Sequence, residues 1–436
     1  MTMEIRTVIL SQLSDSDRDQ ILQRSAVPDP DMRAAALDIV AKVRRGGDAA
    51  LRAANDRFGG GSTDRAIRVE PAALDYAVRT LDAEVRQALE RAARNIRRAH
   101  APQLPEDQSV ETVPGVTIDR RWTPLRRVGV YVPGGRAAYP SSLLMGVIPA
   151  QVAGVSEIVV TSPAAENGDV SPAMLAAAAL LGVGEVYITG GAQAVAALAY
   201  GTETIRPVQK IVGPGNAWVT AAKLAVYGDV GVDLPAGPSE ALVIADSSAD
   251  PKLIAADLMC QAEHGPESPV ALVTPDAAFA AAVVAQLNSL LPDLPRSDII
   301  AAALSDHGLI AITDTLTEAI AFANEYAAEH LTVHTAGSAA DADRITAAGS
   351  VFVGRWAPES AGDYATGANH VLPTGGLAAA YGPLSVEDFG SWRQVQTLTE
   401  EGLRTLRPTI ARLAEAEGLT AHKLASEIRF QTEDQI

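Results

Sequence analysis

The chain has 436 residues, 47% apolar but only 4% aromatic, so Ala, Val and Leu rather than rings must fill its interior. That length exceeds one comfortable hydrophobic core and predicts roughly two or three domains. Lys and Arg number 35 against 53 Asp and Glu, and a formal net charge of -18 repels phosphate backbones and anionic lipid, which argues against nucleic-acid and membrane-surface partners. A single cysteine, Cys260, excludes an intramolecular disulfide framework and a thiolate metal cage. The start, Met1-Thr-Met-Glu-Ile-Arg6, lacks the basic flank, apolar core and small-residue cleavage site of a leader. The longest apolar stretch, Ala173 to Gly184, is too short to span a bilayer. The expectation is a soluble, cytoplasmic, globular protein.

In chain order, residues 30 to 100 read as helix. Asp31 to Arg45 has apolar positions at helical spacing and stops at Gly46-Gly47, Asp48 is placed to cap the next helix, and Leu81 to His100 forms a longer charged one. From residue 127 short β-branched runs alternate with Ala-rich helical stretches. The strands are Val128–Val132, Glu157–Thr161, Glu185–Thr189 and Lys210–Val212, and the helices are Pro140–Val155, Ser171–Leu181, Gly191–Tyr200 and Asn216–Tyr227. A second series has strands at Ala241–Ala245, Val270–Val273, Leu309–Ile312, Leu331–Val333 and Val351–Val353, with helices at Asp250–His264 and Thr315–Ala328. Such repetition demands parallel strands joined by crossover helices. The pattern therefore predicts two α/β sheets, with a junction near Asp233–Pro238. After Pro373 the chain turns Gly-rich and ends in two helices, Thr399–Glu417 and Thr420–Ile428, a tail too small for its own core.

Three glycine-rich turns follow strands: Val132-Pro-Gly-Gly135, Thr189-Gly-Gly-Ala-Gln193 and Val212-Gly-Pro-Gly-Asn216. They expose backbone N–H groups at helix starts, where a phosphate can approach. None completes the G-x-G-x-x-G fingerprint, and each alone equally reads as a tight βα turn; three in one sheet point to a ligand at the strand ends. Gln261 and His264 share one helical face at i, i+3, a common start for a metal site, although a capped helix end at His264-Gly265-Pro266 explains the spacing as well. Glu329 and His330 close a helix just before a strand. A carboxylate beside an imidazole offers two proton acceptors suited to two successive abstractions. The other reading is a histidine favoured at the negative end of a helix dipole. Glu359 to His370 is polar, Gly-punctuated and read as loop, with Asp363 able to ligate a metal or anchor an amine. Glu417-Gly-Leu-Thr-Ala-His422 reads locally as a solvated turn. Cys260 lies in an apolar helical run with no adjacent base or cation, so it reads as packing rather than as a nucleophile.

Taken in order, Gly134-Gly-Arg-Ala-Ala-Tyr-Pro-Ser-Ser142, Gly190-Gly-Ala-Gln-Ala194, Gly213-Pro-Gly-Asn216, Ala236-Gly-Pro-Ser-Glu240, Gln261-Ala-Glu-His-Gly265, Glu329-His-Leu331 and Pro358-Glu-Ser-Ala-Gly-Asp-Tyr364 resemble the histidinol dehydrogenase family. Asn369-His-Val-Leu-Pro-Thr374 and Leu419-Thr-Ala-His422 complete a match running from about residue 30 to 430. The resemblance implies oxidation of L-histidinol to L-histidine through the aldehyde, with NAD and one zinc ion per subunit. It implies zinc ligands Gln261, His264, Asp363 and His422, a catalytic pair Glu329 and His330, and NAD contacts Tyr131, Gln193 and Asn216. Substrate contacts would be Ser239, Gln261, His264, His330, Asp363, Glu417 and His422.

The implied fold is α/β: two incomplete Rossmann-like parallel-sheet domains, a helical N-terminal region and a helical C-terminal tail, in an intertwined homodimer. The boundaries expected are an arm over 1–29, a discontinuous catalytic domain over 30–127 and 238–375, an NAD-side domain over 128–237, and a tail over 376–436 reaching the partner's site. The chain departs from the family's usual text at Ala327-Ala328-Glu329-His330, where Ala-Pro-Glu-His is common, and at Gly390-Ser391-Trp392-Arg393, where a bulky aliphatic residue and then a basic one are usual. An alternative is a related zinc and NAD dehydrogenase for another amino alcohol or a sulfonated diol. A silent ligand-binding scaffold is harder to reconcile with keeping both Glu329 and His330.

Overall fold

The structure, a computed structural model, describes residues 4–61, 65–134, 138–165, 168–234 and 237–431. Gly135 to Ala137 of the first glycine-rich turn and motif, and Pro235-Ala236 of the expected junction, lie outside the described residues. The chain divides into a larger unit, Met1–Gln103 with Leu125–Phe389, and a smaller one, Leu104–Pro124 with Gly390–Ile436.

The strands, in chain order, are β1 (Arg6–Ile9), β2 (Gln108–Val113), β3 (Val116–Pro124), β4 (Arg127–Tyr131), β5 (Glu157–Ser162), β6 (Val186–Ile188) and β7 (Lys210–Val212). They continue as β8 (Gly231–Val232), β9 (Ala241–Ala245), β10 (Val270–Thr274), β11 (Gly308–Ile312), β12 (His330–His334), β13 (Ser350–Val353) and β14 (Gly390–Leu398). In the larger unit, β1-β11-β10-β9-β12-β13 form a six-stranded parallel sheet and β6-β5-β4-β7-β8 a five-stranded parallel one. β4, β9, β10 and β12 are buried along their whole length; β9 and β10 accordingly read as near-continuous apolar runs, whereas β12 alternates His330, Thr332 and His334 with Leu331 and Val333. Among the described residues no helix is long and apolar enough to cross a membrane.

The expected boundaries need correction at three places. The N-terminal arm is built into the six-stranded sheet, because β1 pairs in register with β11, Arg6 opposite Leu309. Residues 30–127, expected with the catalytic domain, divide: the helix Pro30–Phe58 sends Ala36, Ile39, Val40, Val43 and Leu51 into the core over the five-stranded sheet, beside Ala194, Leu198 and Ile211. Its apolar stripe marks a buried face without saying which sheet buries it. The tail begins later than residue 376, since Val386 and Phe389 are fully buried in the larger unit. The first long helix breaks at Gly47, whose φ of 53° and ψ of -140° are not helical, and a second helix continues to Phe58, as the Gly46-Gly47 pair predicts; the Asp48 carboxylate accepts hydrogen bonds from Thr204.

Within the smaller unit, β14 and β2 flank β3 in an antiparallel sheet. The helices Glu400–Ala416 and Thr420–Glu427 follow. Few of its described side chains are buried, Val116, Ala414 and Ser426 among them, while Leu413 and Leu424 are exposed. The Gly390–Arg393 departure has a packing reason: a Cβ on Gly390 would stand 2.1 Å from the Trp122 indole. Trp392 lies opposite Trp122 in the ladder, with the Arg120 guanidinium 3.9 Å from its ring centre.

Candidate active site and metal centre

The helix Leu316–Tyr326 stops at Ala327, whose left-handed φ of 49° turns the chain into β12. Glu329 and His330 are therefore not helix neighbours, as the sequence reading has them, but the entry to a strand. His330 stands opposite Ala241 and Ser350, the first residues of β9 and β13, so the pair sits at the amino edge of the six-stranded sheet. Open α/β sheets ordinarily bind ligands at the carboxyl edge.

Glu329 is buried, and its Oε2 accepts the Glu240 N–H at 2.9 Å. Glu240 is fixed in turn by the Arg24 guanidinium and by the Gly375 N–H at 3.0 Å. Burial, reinforced by the carboxylates of Glu240, Glu359 and Asp363, holds the Glu329 pKa well above the usual carboxylate range. The Nδ1 of His330 lies 3.8 Å from Glu329 Oε2 and has no hydrogen-bond partner; its Nε2 lies 3.9 Å from Asp363 Oδ1. Burial, with smaller contributions from His264 and His370, lowers the His330 pKa to about 3, so the ring is neutral and able to accept a proton.

The helix Pro251–Ala262, capped by Asp250, carries Gln261 in its last turn, with His264 just beyond it. Gln261 is 0% exposed, yet neither its amide oxygen nor its nitrogen has a partner. The Nε2 of His264 is 4.0 Å from Asp363 Oδ2, and desolvation lowers its pKa, which keeps a ring nitrogen free to ligate. Asp363 sits on a short helix, Glu359–Tyr364, rather than the expected loop, and burial raises its pKa to about 6. Helical spacing puts Glu359 on the same face, i to i+4, and His264, Glu359 and Asp363 place one ligand atom each within 4.8 Å of one another.

Two groups here escaped sequence reasoning. Glu359 was passed over inside a presumed loop, although acids four apart ahead of a Gly-rich stretch were the available signal. His370 bonds the Asp363 carbonyl through Nδ1 at 3.0 Å and the Ser142 hydroxyl through Nε2 at 3.1 Å. A carbonyl only accepts, so Nδ1 carries the proton and Nε2 accepts from Ser142. Ser142 belongs to the helix Pro140–Ala153 that follows β4, so this bridge joins the amino edge of one sheet to the carboxyl side of the other.

Tyr131 is the last residue of β4, and Gln193 and Asn216 follow the carboxyl ends of β6 and β7. The Tyr131 hydroxyl accepts the Gly191 N–H at 3.1 Å, and burial pushes its pKa up to about 12. Gln193 is buried, its Nε2 donating to Asn55 Oδ1 at 3.2 Å and to the Gly59 carbonyl at 3.1 Å, so it braces the turn. Asn216 is exposed and caps the helix Ala217–Val226 by accepting from Trp218 and Val219. Gly213, with φ of 115°, approaches β4 so closely that a Cβ would stand 2.0 Å from the Tyr131 carbonyl oxygen. A buried ion pair, Lys223 with Asp233, grips both the carbonyl and the N–H of Gly213.

Ser239 is half-buried just before Glu240. Glu417 and His422 belong to the smaller unit, where both are exposed; His422 lines a groove of about 580 Å³ with Leu398, Leu403, Ile410, Ala425 and Phe430. The larger unit thus gathers Gln261, His264, Glu329, His330 and Asp363. Burial and the acids Glu359 and Asp363 raise the pKa of the half-buried Cys260, which remains a thiol. Cys260→Ser should accordingly keep full turnover in a steady-state assay, and a loss of about an order of magnitude would restore a thiol role.

The histidinol dehydrogenase family profile matches residues 22–430. The histidinol dehydrogenase of Vibrio parahaemolyticus is 46% identical over 98% of this chain and 99% of its own. That of Halobacterium salinarum is 47% identical over 97% of this chain and 99% of its own. The crystal structure of histidinol dehydrogenase from Elizabethkingia anophelis matches with a TM-score of 0.92 and 39% identity, covering 98% of both chains. Likeness of this degree, end to end in sequence and in backbone, makes the chain a member of the histidinol dehydrogenase family.

Proposed function

We propose that the protein oxidises L-histidinol to L-histidine through L-histidinaldehyde, a four-electron reaction of histidine biosynthesis in the cytoplasm, with two NAD+ as acceptors and a zinc ion in the site. Family membership supports the reaction. The observation that carries the chemistry is the neutral His330 beside a buried Glu329, together with a wholly buried Gln261 amide that no protein group satisfies. An orphaned buried amide is costly unless something meets it, and an amide oxygen, a neutral imidazole and a carboxylate are donors a zinc ion accepts. The ligands would be Gln261, His264, Asp363 and the His422 of a second copy. When bound, the ion supplies a Lewis-acid anchor for substrate nitrogens, and NAD+ supplies the hydride acceptor.

The chain's own groups do the proton work. His330 takes the alcohol proton as a hydride leaves the carbinol carbon, which yields the aldehyde. Glu329 then accepts a proton from the water that attacks that aldehyde, and loss of a second hydride leaves the carboxylate. Ser239, Gln261, His264, His330, Asp363, Glu417 and His422 would hold the substrate. Tyr131, Gln193 and Asn216 would form the NAD edge on turns stiffened by Gln193 and Lys223. The exposed Leu413 and Leu424 on a thinly cored unit support a homodimer in which that unit completes the partner's site.

Purified protein with NAD+ and L-histidinol should release two NADH per histidinol. Turnover only with another amino alcohol or a sulfonated diol would move the substrate assignment, and none with any alcohol would end the enzyme reading.

A further inference from the structure

The Arg24 side chain is only 14% exposed and turns both terminal nitrogens into the larger unit. Its Nη1 donates to Glu240 Oε2 and its Nη2 to the Tyr326 carbonyl, with the guanidinium carbon 3.3 Å from the Tyr326 ring centre. The N-terminal segment delivers it there. β1 pairs with β11, and the helix Asp15–Leu22 buries Ile21 in one cluster with Phe322 and Tyr326. The chain just after Arg24 runs so close to Gly375 that a Cβ there would stand 2.6 Å from the Ala26 nitrogen. Both Arg24 contacts bear on Glu329 and His330. Tyr326 precedes Ala327, the left-handed residue that turns the chain into β12. Glu240 is held by its side chain and holds by its backbone. Its Oε1 accepts the Gly375 N–H at 3.0 Å, its N–H donates to Glu329 Oε2 at 2.9 Å, and its carbonyl accepts the His330 N–H at 3.2 Å. Burial pushes the Glu240 pKa up and Arg24 pulls it down; both its oxygens accept from donors, the arrangement that favours the carboxylate. The two reactive residues are not held alike. His330 lies in β12, paired on both sides with β9 and β13, whereas the Glu329 side chain has, among the described residues, that one hydrogen bond.

We propose that Arg24 is a positioning residue for the second oxidation: it fixes Glu240, and through the Glu240 N–H it fixes the carboxylate that activates water. The proposal rests on Glu329 acting as that base. It gives the N-terminal segment a part in the reaction, exerted through Glu240 rather than through substrate.

The test is rapid mixing of the purified protein with NAD+ and either L-histidinol or L-histidinaldehyde, which reads the two hydride transfers apart. Wild type, Arg24→Met, Glu240→Gln, their double variant and Glu329→Gln are compared well below their melting temperatures. Arg24→Met should form the first NADH at close to the wild-type rate and slow the aldehyde step about 10–100-fold, the scale of a misplaced catalytic group. Glu240→Gln should show the same split. The double variant should be no slower than the slower single one, because both changes act along one path. Equal slowing of both steps in Arg24→Met is loss of structure alone and overturns the proposal. So does an aldehyde step at the wild-type rate, or a double variant whose losses multiply. If Arg24→Met does not fold, Arg24→Lys takes its place. An ammonium cannot hold Glu240 and the Tyr326 carbonyl with the same planar fork, so the aldehyde step should slow while the first does not, and an unchanged ratio of the two rates is fatal. Glu329→Gln leaving the aldehyde step intact is a different failure and removes the base reading itself.

Discussion

Glu329→Gln is expected to lower the steady-state conversion of L-histidinol to histidine by about 10²–10⁴-fold, the range that a positioned general base contributes. The loss should fall on the second oxidation. Glutamine keeps the Glu240 N–H bond to a side-chain oxygen and leaves His330 in place, so the first hydride transfer survives while the amide cannot take a proton from water. A rapid-mixing experiment should show a burst near one NADH per site, and aldehyde trappable with a carbonyl reagent. The pH dependence has a definite sign. Glu329 works ionised, and burial with three neighbouring carboxylates raises its pKa, so the aldehyde step speeds up as pH rises through that value. His330, neutral down to about pH 3, does not set the acid limb. Glu329→Gln should lose that limb. A variant that still forms two NADH per histidinol at the wild-type rate would exclude Glu329 as the base.

The second large effect concerns the metal. Chelation of the wild-type protein, or His264→Ala, should cut turnover by about two orders of magnitude or more, and added zinc should rescue only the wild type. A stability readout separates metal loss from misfolding. Zinc at about 100 times its dissociation constant stabilises the folded state by about 2.7 kcal/mol through mass action, so wild type should melt at a higher temperature with zinc and His264→Ala should not. Full activity after verified metal removal would contradict the site.

Much of this arrangement was readable in the chain. The runs Val128–Val132 and Ala241–Ala245 became fully buried parallel strands because nothing but two-sided burial explains unbroken apolar stretches between helices. The i, i+3 spacing of Gln261 and His264 placed both at the end of one helix; the structure keeps Gln261 in the last turn and sets His264 just past it. What escaped was long-range or irregular. β1 and β14 are half-exposed strands whose partners lie hundreds of residues away, and their sequences carry little local signal. The short helix at Glu359 was hidden by its own Gly362, a poor helix former that the structure uses to admit Phe352. Glu329 and His330 were singled out for their chemistry while their geometry was misread, because an Ala-Ala pair ahead of them gives no hint that Ala327 turns left-handed.

Pairing the first strand with β11 also has a temporal consequence. Arg6 emerges from the ribosome about 300 residues ahead of Leu309, its partner in the ladder; at ~5–20 residues per second that wait is roughly 15–60 s. Until then one border of the larger sheet is incomplete and Arg24 has only part of its surroundings. Refolding from denaturant should therefore outpace maturation on the ribosome, and nascent chains stalled before residue 309 should expose the amino terminus to protease.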